Sequence, residues 1–179
     1  MGLPQSRLEV LPLAFDQSRT GYAYQNPATR LISVAPGTQL GSPCNACFKI
    51  TLEEGGSYAL VVEYATQDSH PCDVLLNLYD PQGQPIYPDY LTFFNNLAAA
   101  VTLPEVLVQP TGGNMRSTTV GPLQLRKGFN TVNIRARALN EPGYKGSGFI
   151  PDIRKISLFR EISLKPLADF LNPASSTAT

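Results

Sequence analysis

Cys44, Cys47, His70 and Cys72 are the residues whose types and spacing offer chemistry. Cys-x-x-Cys followed by His-x-Cys supplies three soft sulfurs and an imidazole, a tetrahedral zinc set whose second half is tighter than the usual ligand spacing. The same residues fit one disulfide to Cys72, or three free thiols, and spacing alone leaves all three readings open. A nucleophilic thiol needs a positioned base. His70 stands two residues from Cys72, which along a strand points both side chains the same way, so the pair reads as a loop pair near a strand entrance. With no second histidine, a Ser-His-Asp set has no base. The adjacent acids Glu53 and Glu54 fall on a glycine turn, where they keep the turn soluble rather than form a glycosidase pair. The expectation is a protein without catalysis.

The elements that must position these residues are strands. Sixteen Pro and 14 Gly among 42 % apolar residues predict short strands with frequent turns. Two segments, Gly56-Ser57-Tyr58-Ala59-Leu60-Val61-Val62-Glu63-Tyr64-Ala65 and Leu125-Arg126-Lys127-Gly128-Phe129-Asn130-Thr131-Val132-Asn133-Ile134, each set a glycine turn before period-two alternation. Tyr58, Leu60, Val62 and Tyr64 should face the core. Residues 48–52 and 58–65, flanking Glu53-Glu54-Gly55-Gly56, predict a β-hairpin. That hairpin would set Cys47 opposite about Glu63 and let the three cysteines and His70 meet. A second hairpin joins 117–125 to 130–138, with Val132, Ile134, Ala136 and Ala138 on a core face and Thr131, Asn133, Arg135 and Arg137 in water.

The remaining segments read as an opening strand over 7–15, a loop around Tyr22, Tyr24 and Pro27, a short strand over 30–34, a strand over 73–79 and a last strand over 153–160. Asp80-Pro81-Gln82-Gly83 is a β-turn that restarts a strand near Ile86. Eight or so strands predict an all-β fold, a jelly-roll β-sandwich of two antiparallel sheets. It forms a single domain over residues 1–162, with 163–179 as a C-terminal tail or linker whose small polar ending buries little.

Fourteen basic and 14 acidic side chains, scattered without runs, give no electrostatic footprint for nucleic acid or an anionic membrane. No apolar stretch has the ~20 residues that span a bilayer, and no basic segment followed by an apolar one suggests a signal peptide. The compartment stays open, extracellular if the chain is cut from a secreted multidomain protein.

In order, the strand at Tyr58 to Ala65, the aliphatic run Val74 to Leu78, the leucine, glycine and asparagine run Leu125 to Ile134, and the isoleucine-rich Ile153 to Leu158 resemble the family 6 and family 35 carbohydrate-binding modules, galactose-binding-like jelly rolls. The resemblance covers residues 48–160. It implies a polysaccharide or oligosaccharide partner held by loops at one sandwich end: 66–71, the insertion with Tyr87 and Tyr90, and 139–149. Tyr144 would stack on a sugar ring, and Asn140 and Asp68 would bond hydroxyls. The family also implies a structural calcium bound by acidic residues of the first and last strands. Here Glu9 stands alone, and Arg154 occupies the position of the last-strand aspartate, with Asp152 nearby. The rival expectation is a structural or assembly protein that engages a protein partner or a homo-oligomer through Leu91-Thr92-Phe93-Phe94.

Overall fold

The computed structural model describes residues 5–39, 44–66, 72–86, 101–102, 114–136 and 149–164. Eleven strands are seen among them: β1 (Gln5–Pro12), β2 (Ala14–Phe15), β3 (Ala23–Gln25), β4 (Ile32–Val34), β5 (Asn45–Leu52), β6 (Gly56–Ala65), β7 (Cys72–Leu76), β8 (Val101–Thr102), β9 (Arg116–Leu125), β10 (Gly128–Ala136) and β11 (Asp152–Leu164). One sheet runs β3-β4-β11-β6-β9 with β1 also on β11, and the other runs β2-β5-β10-β7-β8. All pairings are antiparallel. The chain crosses between sheets at nearly every connection, so the architecture is the all-β jelly-roll sandwich that the turn-rich composition predicts.

The core is built by alternate residues of facing strands. Tyr58, Leu60, Val62 and Tyr64 of β6 are buried as expected, against Phe48, Leu123, Val132, Ile134, Ile153, Ile156 and Leu158. Period-two apolar spacing places these side chains on one face because successive strand residues point to opposite sides.

Both predicted hairpins are corrected. β5 and β6, joined through residues 53–55, belong to different sheets, and so do β9 and β10, joined through Arg126 and Lys127. Each pair forms an arch across the core instead of a ladder. The physical reason is that β6 and β10 are interior strands, which take both neighbours from elsewhere: β11 and β9 for β6, β5 and β7 for β10. Alternation shows which face a strand buries but not whether its sequence neighbour lies beside it or across the ~10 Å between sheets. The two arches pack together. Gly56 lies opposite Leu125 and Gly128 opposite Leu52, and a Cβ on Gly55 would meet Lys127 N at 2.9 Å and Leu125 O at 3.1 Å.

The expectation that Thr131, Asn133 and Arg135 face water is also corrected, because all three are buried. β10 is the middle strand of its sheet, and its outward face is roofed in part by the turn after β2. There a single 3-10 turn (Gln17–Arg19) is capped by Asp16, whose Oδ1 accepts Ser18 N at 3.1 Å and Ser18 Oγ at 2.6 Å. Arg19 lies over the rings of Tyr79 and Phe129. Thr20 Oγ1 accepts Cys47 N at 2.9 Å, and Asn45 Nδ2 donates to Asn133 Oδ1 at 3.3 Å. Thr20 of the turn and Asn45 of β5 thus supply polar partners on this face.

Smaller differences follow the same logic. The opening segment is two strands, β1 in one sheet and β2 in the other, and the loop around Tyr24 contains β3. The turn at Asp80 is present, with Gly83 N donating to Asp80 O at 2.9 Å. The restart near Ile86 is a single Tyr79–Pro85 bridge.

Candidate functional site

Four sequence-defined connections begin or end at one end of the sandwich. There β6 finishes at Ala65 opposite Asp152, the first residue of β11, and β9 starts at Arg116 opposite Tyr64. In the other sheet, β7 starts at Cys72 opposite Ala136, the last residue of β10. β8 runs out at Thr102 opposite Asp73, and Cys44 O accepts Ala136 N at 2.9 Å. Segments 40–43, 67–71, 103–113 and 137–148 are all tied to these strand ends. Asp68 belongs to the second of them, and Asn140 and Tyr144 to the fourth. Tyr87 and Tyr90 belong to 87–100, which departs beside Ile86, bonded to Leu78 O at 2.8 Å, and rejoins at Val101 opposite Val74. Asp68, Tyr87, Tyr90, Asn140 and Tyr144 lie outside the described residues, as do His70 and Leu91 to Phe94.

The floor of this end is held by a buried ion pair that sequence reasoning missed. Arg135 Nη2 donates to Asp73 Oδ2 at 2.8 Å, with the side chains 2 % and 0 % exposed. The two are register partners on β10 and β7, one residue inside the points where 67–71 and 137–148 attach. Alternation put Arg135 on a wet face, and nothing in the local sequence of Asp73 marks it as the partner. Taking two charges out of water is compensated only by close mutual pairing, so the pair fixes β7 against β10 at this end.

The cysteines do not converge. Cys44 and Cys72 both point into the core, on opposite sides of β10, while Cys47 lies on the outer face, opposite Asn133. Burial pushes the Cys44 thiol up to about 11. Burial, reinforced by Asp16, pushes Cys47 up to about 12, and burial with the neighbouring Asp73 does the same for Cys72. All three are free thiols, so no disulfide to Cys72 is formed, and Cys47 on the outer face does not share a site with Cys44 and Cys72 in the core. Among the described residues no cluster of three metal-ligating side chains occurs.

The residues implied for calcium do not fit that ion. Glu9 lies opposite Arg160 on β11 and binds its Nε. Arg154 stands six residues before Arg160, ~20 Å away along a strand, and donates to Glu63 Oε1 at 2.8 Å. Arg160 Nη1 also donates to Glu54 Oε2 at 2.8 Å, and its guanidinium lies over the Tyr58 ring. Glu9 and Glu54 are neutralised by an arginine, and Glu9 is too far from Asp152 for the two to share a cation.

A concavity lies on the outer side of the β1-β11-β6-β9 sheet, a groove of about 430 Å³ lined by Leu8, Ala59, Thr119, Pro122, Phe159 and Glu161 among others. Leu8 is 63 % exposed and Val10 45 %. No helix among the described residues is long and apolar enough to cross a membrane.

No family model matches the sequence, and no curated protein matches it. Solved structures do. The chain is similar to a family 35 carbohydrate-binding module in complex with a glucuronic acid-containing disaccharide, at TM-score 0.49 and 16 % identity, over 88 % of this chain and 98 % of that one. It is similar to a family 35 module from Cellvibrio japonicus, at TM-score 0.46 and 17 % identity, over 86 % and 96 %. It also resembles part of an Arthrobacter globiformis isomalto-dextranase complexed with panose, at TM-score 0.48 and 19 % identity, over 84 % of this chain and 23 % of that one.

Proposed function

We propose that the chain is a non-catalytic carbohydrate-binding module that takes an oligosaccharide or polysaccharide at the end of the sandwich where Ala65, Cys72, Ala136 and Asp152 meet. The supporting observation is that the segments carrying Asp68, Asn140 and Tyr144 attach to strand ends that the two sheets bring together, and a rigid scaffold with a cluster of connections at one end is the usual way loops are made to converge on a ligand. The strand order that resembles families 6 and 35 adds to this reading. The chemistry of the thiols agrees with it, because protonated, buried sulfurs are poor nucleophiles.

The test is calorimetric titration of the chain with the glucuronic acid-containing disaccharide and panose found with similar structures, alongside a polysaccharide array. Saturable binding supports the proposal. Flat titrations across sugars and array alike would remove it.

A second reading, a homo-oligomeric scaffold, is favoured by the exposed Leu8 and Val10 beside the groove at Phe159. Light scattering separates the two. An oligomer dispersed by Leu8→Ser together with Val10→Ser supports assembly through this face, and a monomer unaffected by both changes opposes it.

A further inference from the structure

We propose that β1 is a self-pairing edge: two copies of the chain join antiparallel along their β1 strands, about a two-fold axis at Leu8, and continue one sheet through both molecules. This rests on the homo-oligomer reading above and gives it a register, and it is independent of the carbohydrate reading.

β1 pairs with β11 over its whole length without a register shift, and no other described strand pairs with it. Just past its end, Leu13 N donates to Ile156 O at 3.0 Å. In an antiparallel ladder, residues whose N–H and C=O point at the neighbour alternate with residues whose groups point away. Counting back from Leu13, the odd-numbered residues of β1 turn to β11, and Ser6, Leu8 and Val10 turn their peptide groups outward. Pro12 falls in the outward set, which suits a residue with no N–H to give to the ladder. A row of outward N–H and C=O groups is a template for another strand. β9, at the other edge of the same sheet, offers a poorer one, because Gly121, Pro122 and a register shift between Tyr58 and Leu60 interrupt it.

Charge selects a second copy as the occupant. Arg7 and Glu9 lie on one face of β1, since residues two apart along a strand share a side. Glu9 is bound by Arg160 and still 26 % exposed. Arg7 is exposed, and among the described residues it has no ion-pair partner. With Leu8 opposite Leu8, the antiparallel direction sets Arg7 opposite Glu9 of the second copy, and Glu9 opposite its Arg7. Leu8 then exchanges both backbone bonds with its counterpart, and Ser6 does so with Val10 on either side of the axis. A slip of two residues, the smallest that keeps these bonds, puts Arg7 against Arg7 or Glu9 against Glu9. Like charges directly opposite are unfavourable, so the strand specifies one register with itself.

The outer face agrees. Leu8 is 63 % and Val10 45 % exposed in the single chain. Val10 is the register partner of Phe159, which is in turn the partner of Ala59. Pairing at β1 lays the two Leu8 side chains next to each other and carries this apolar stripe across both copies. The contact uses the same patch on each copy, so it closes at a dimer.

The experiment combines light scattering with directed cross-linking of the whole chain. At about 100 μM the parent reads twice the 19.4 kDa of one chain. Leu8→Cys sits on the axis, where a hydrogen-bonded pair holds its Cα atoms ~5.5 Å apart, within reach of a disulfide, so mild oxidation links two chains. Val10→Cys lies four residues along the strand from its counterpart, ~14 Å away, and stays unlinked. The native thiols are buried and do not compete. Arg7→Glu sets glutamate against glutamate on both sides of the axis and weakens the dimer by about tenfold or more, while its melting temperature in dilute solution stays level. A parent that is monomeric at this concentration overturns the inference and the oligomer reading together. A dimer that Val10→Cys cross-links as readily as Leu8→Cys, or that Arg7→Glu leaves intact, overturns the inference and leaves the oligomer reading standing.

Discussion

Cys44, immediately before β5, and Cys72, the first residue of β7, stand on opposite flanks of Ala136. Two strand spacings put their backbones ~9–10 Å apart, beyond the ~7 Å that a disulfide spans. With Cys47 on the other face of β5, oxidation has no partner to offer any of the three. A thiol assay on the native chain should read near zero, and denaturation without reductant should release three equivalents per chain. A count that rises only after reductant is added contradicts the fold at this point.

The same burial makes the protein alkali-labile. The folded state holds each thiol proton more tightly than the unfolded chain, whose thiols titrate near ~8.5. This contribution to stability is complete below that pH and is lost as pH rises toward about 11 for Cys44 and about 12 for Cys47 and Cys72. Melting temperature should decline steadily from pH 8.5 upward, and Cys47→Ala should flatten that decline.

Acid acts through Asp16. Burial alone would raise its carboxyl, but hydrogen bonds from Ser18 and Arg19 and the charges of Lys49 and Arg19 outweigh this and hold it below its ordinary value. A lowered folded-state value means stability present above the unfolded value of ~3.9 and lost as pH falls below it. Asp16→Asn should cost ~1–2 kcal/mol at neutral pH, as loss of a cap and a charged hydrogen bond does, and should weaken the acid sensitivity seen in melting curves between pH 5 and 3.

Asp73 and Arg135 should behave as a unit. Asp73→Asn or Arg135→Met leaves one buried charge without its counter-charge, a change that costs ~3–5 kcal/mol. The double change to apolar residues should recover much of that loss. Chemical denaturation of the two single variants and the double variant measures the coupling, and additive losses would falsify the pairing.

Gly55 is fixed by proximity. Its would-be Cβ meets backbone atoms of Lys127 and Leu125 at 2.9 and 3.1 Å, which cannot rotate away as a side chain would. Gly55→Ala should lower stability by ~1–3 kcal/mol, the range for overpacking. Gly37→Ala sets a contrast, since nothing lies within 4 Å there and only its φ of +81° opposes the change.

Much of the strand content was legible in the sequence, and little of the pairing was. The alternation of Tyr58 to Tyr64 marks a face that is buried whatever stands beside it, so β6 was readable from its own residues. Whether β5 or β9 pairs with it depends on β11, about 90 residues further on, and no local pattern holds that information. Arg135 shows the other failure. Polar residues at alternate positions signal solvent only when a sheet has one free face, and the turn that Asp16 caps helps remove that freedom.

The arches leave the molecule without a sequence-local hairpin linking β5 to β6 or β9 to β10. β1 waits for β11, with Glu9 and Arg160 separated by 151 positions, and β6 has only β9 until that last strand arrives. Such topologies gather their contacts late and fold slowly. On the ribosome, a chain stopped short of β11 would expose one flank of β6 and the apolar residues that Ile153, Ile156 and Leu158 are meant to cover, so synthesis of the final strand is the step that turns a sticky intermediate into a finished particle.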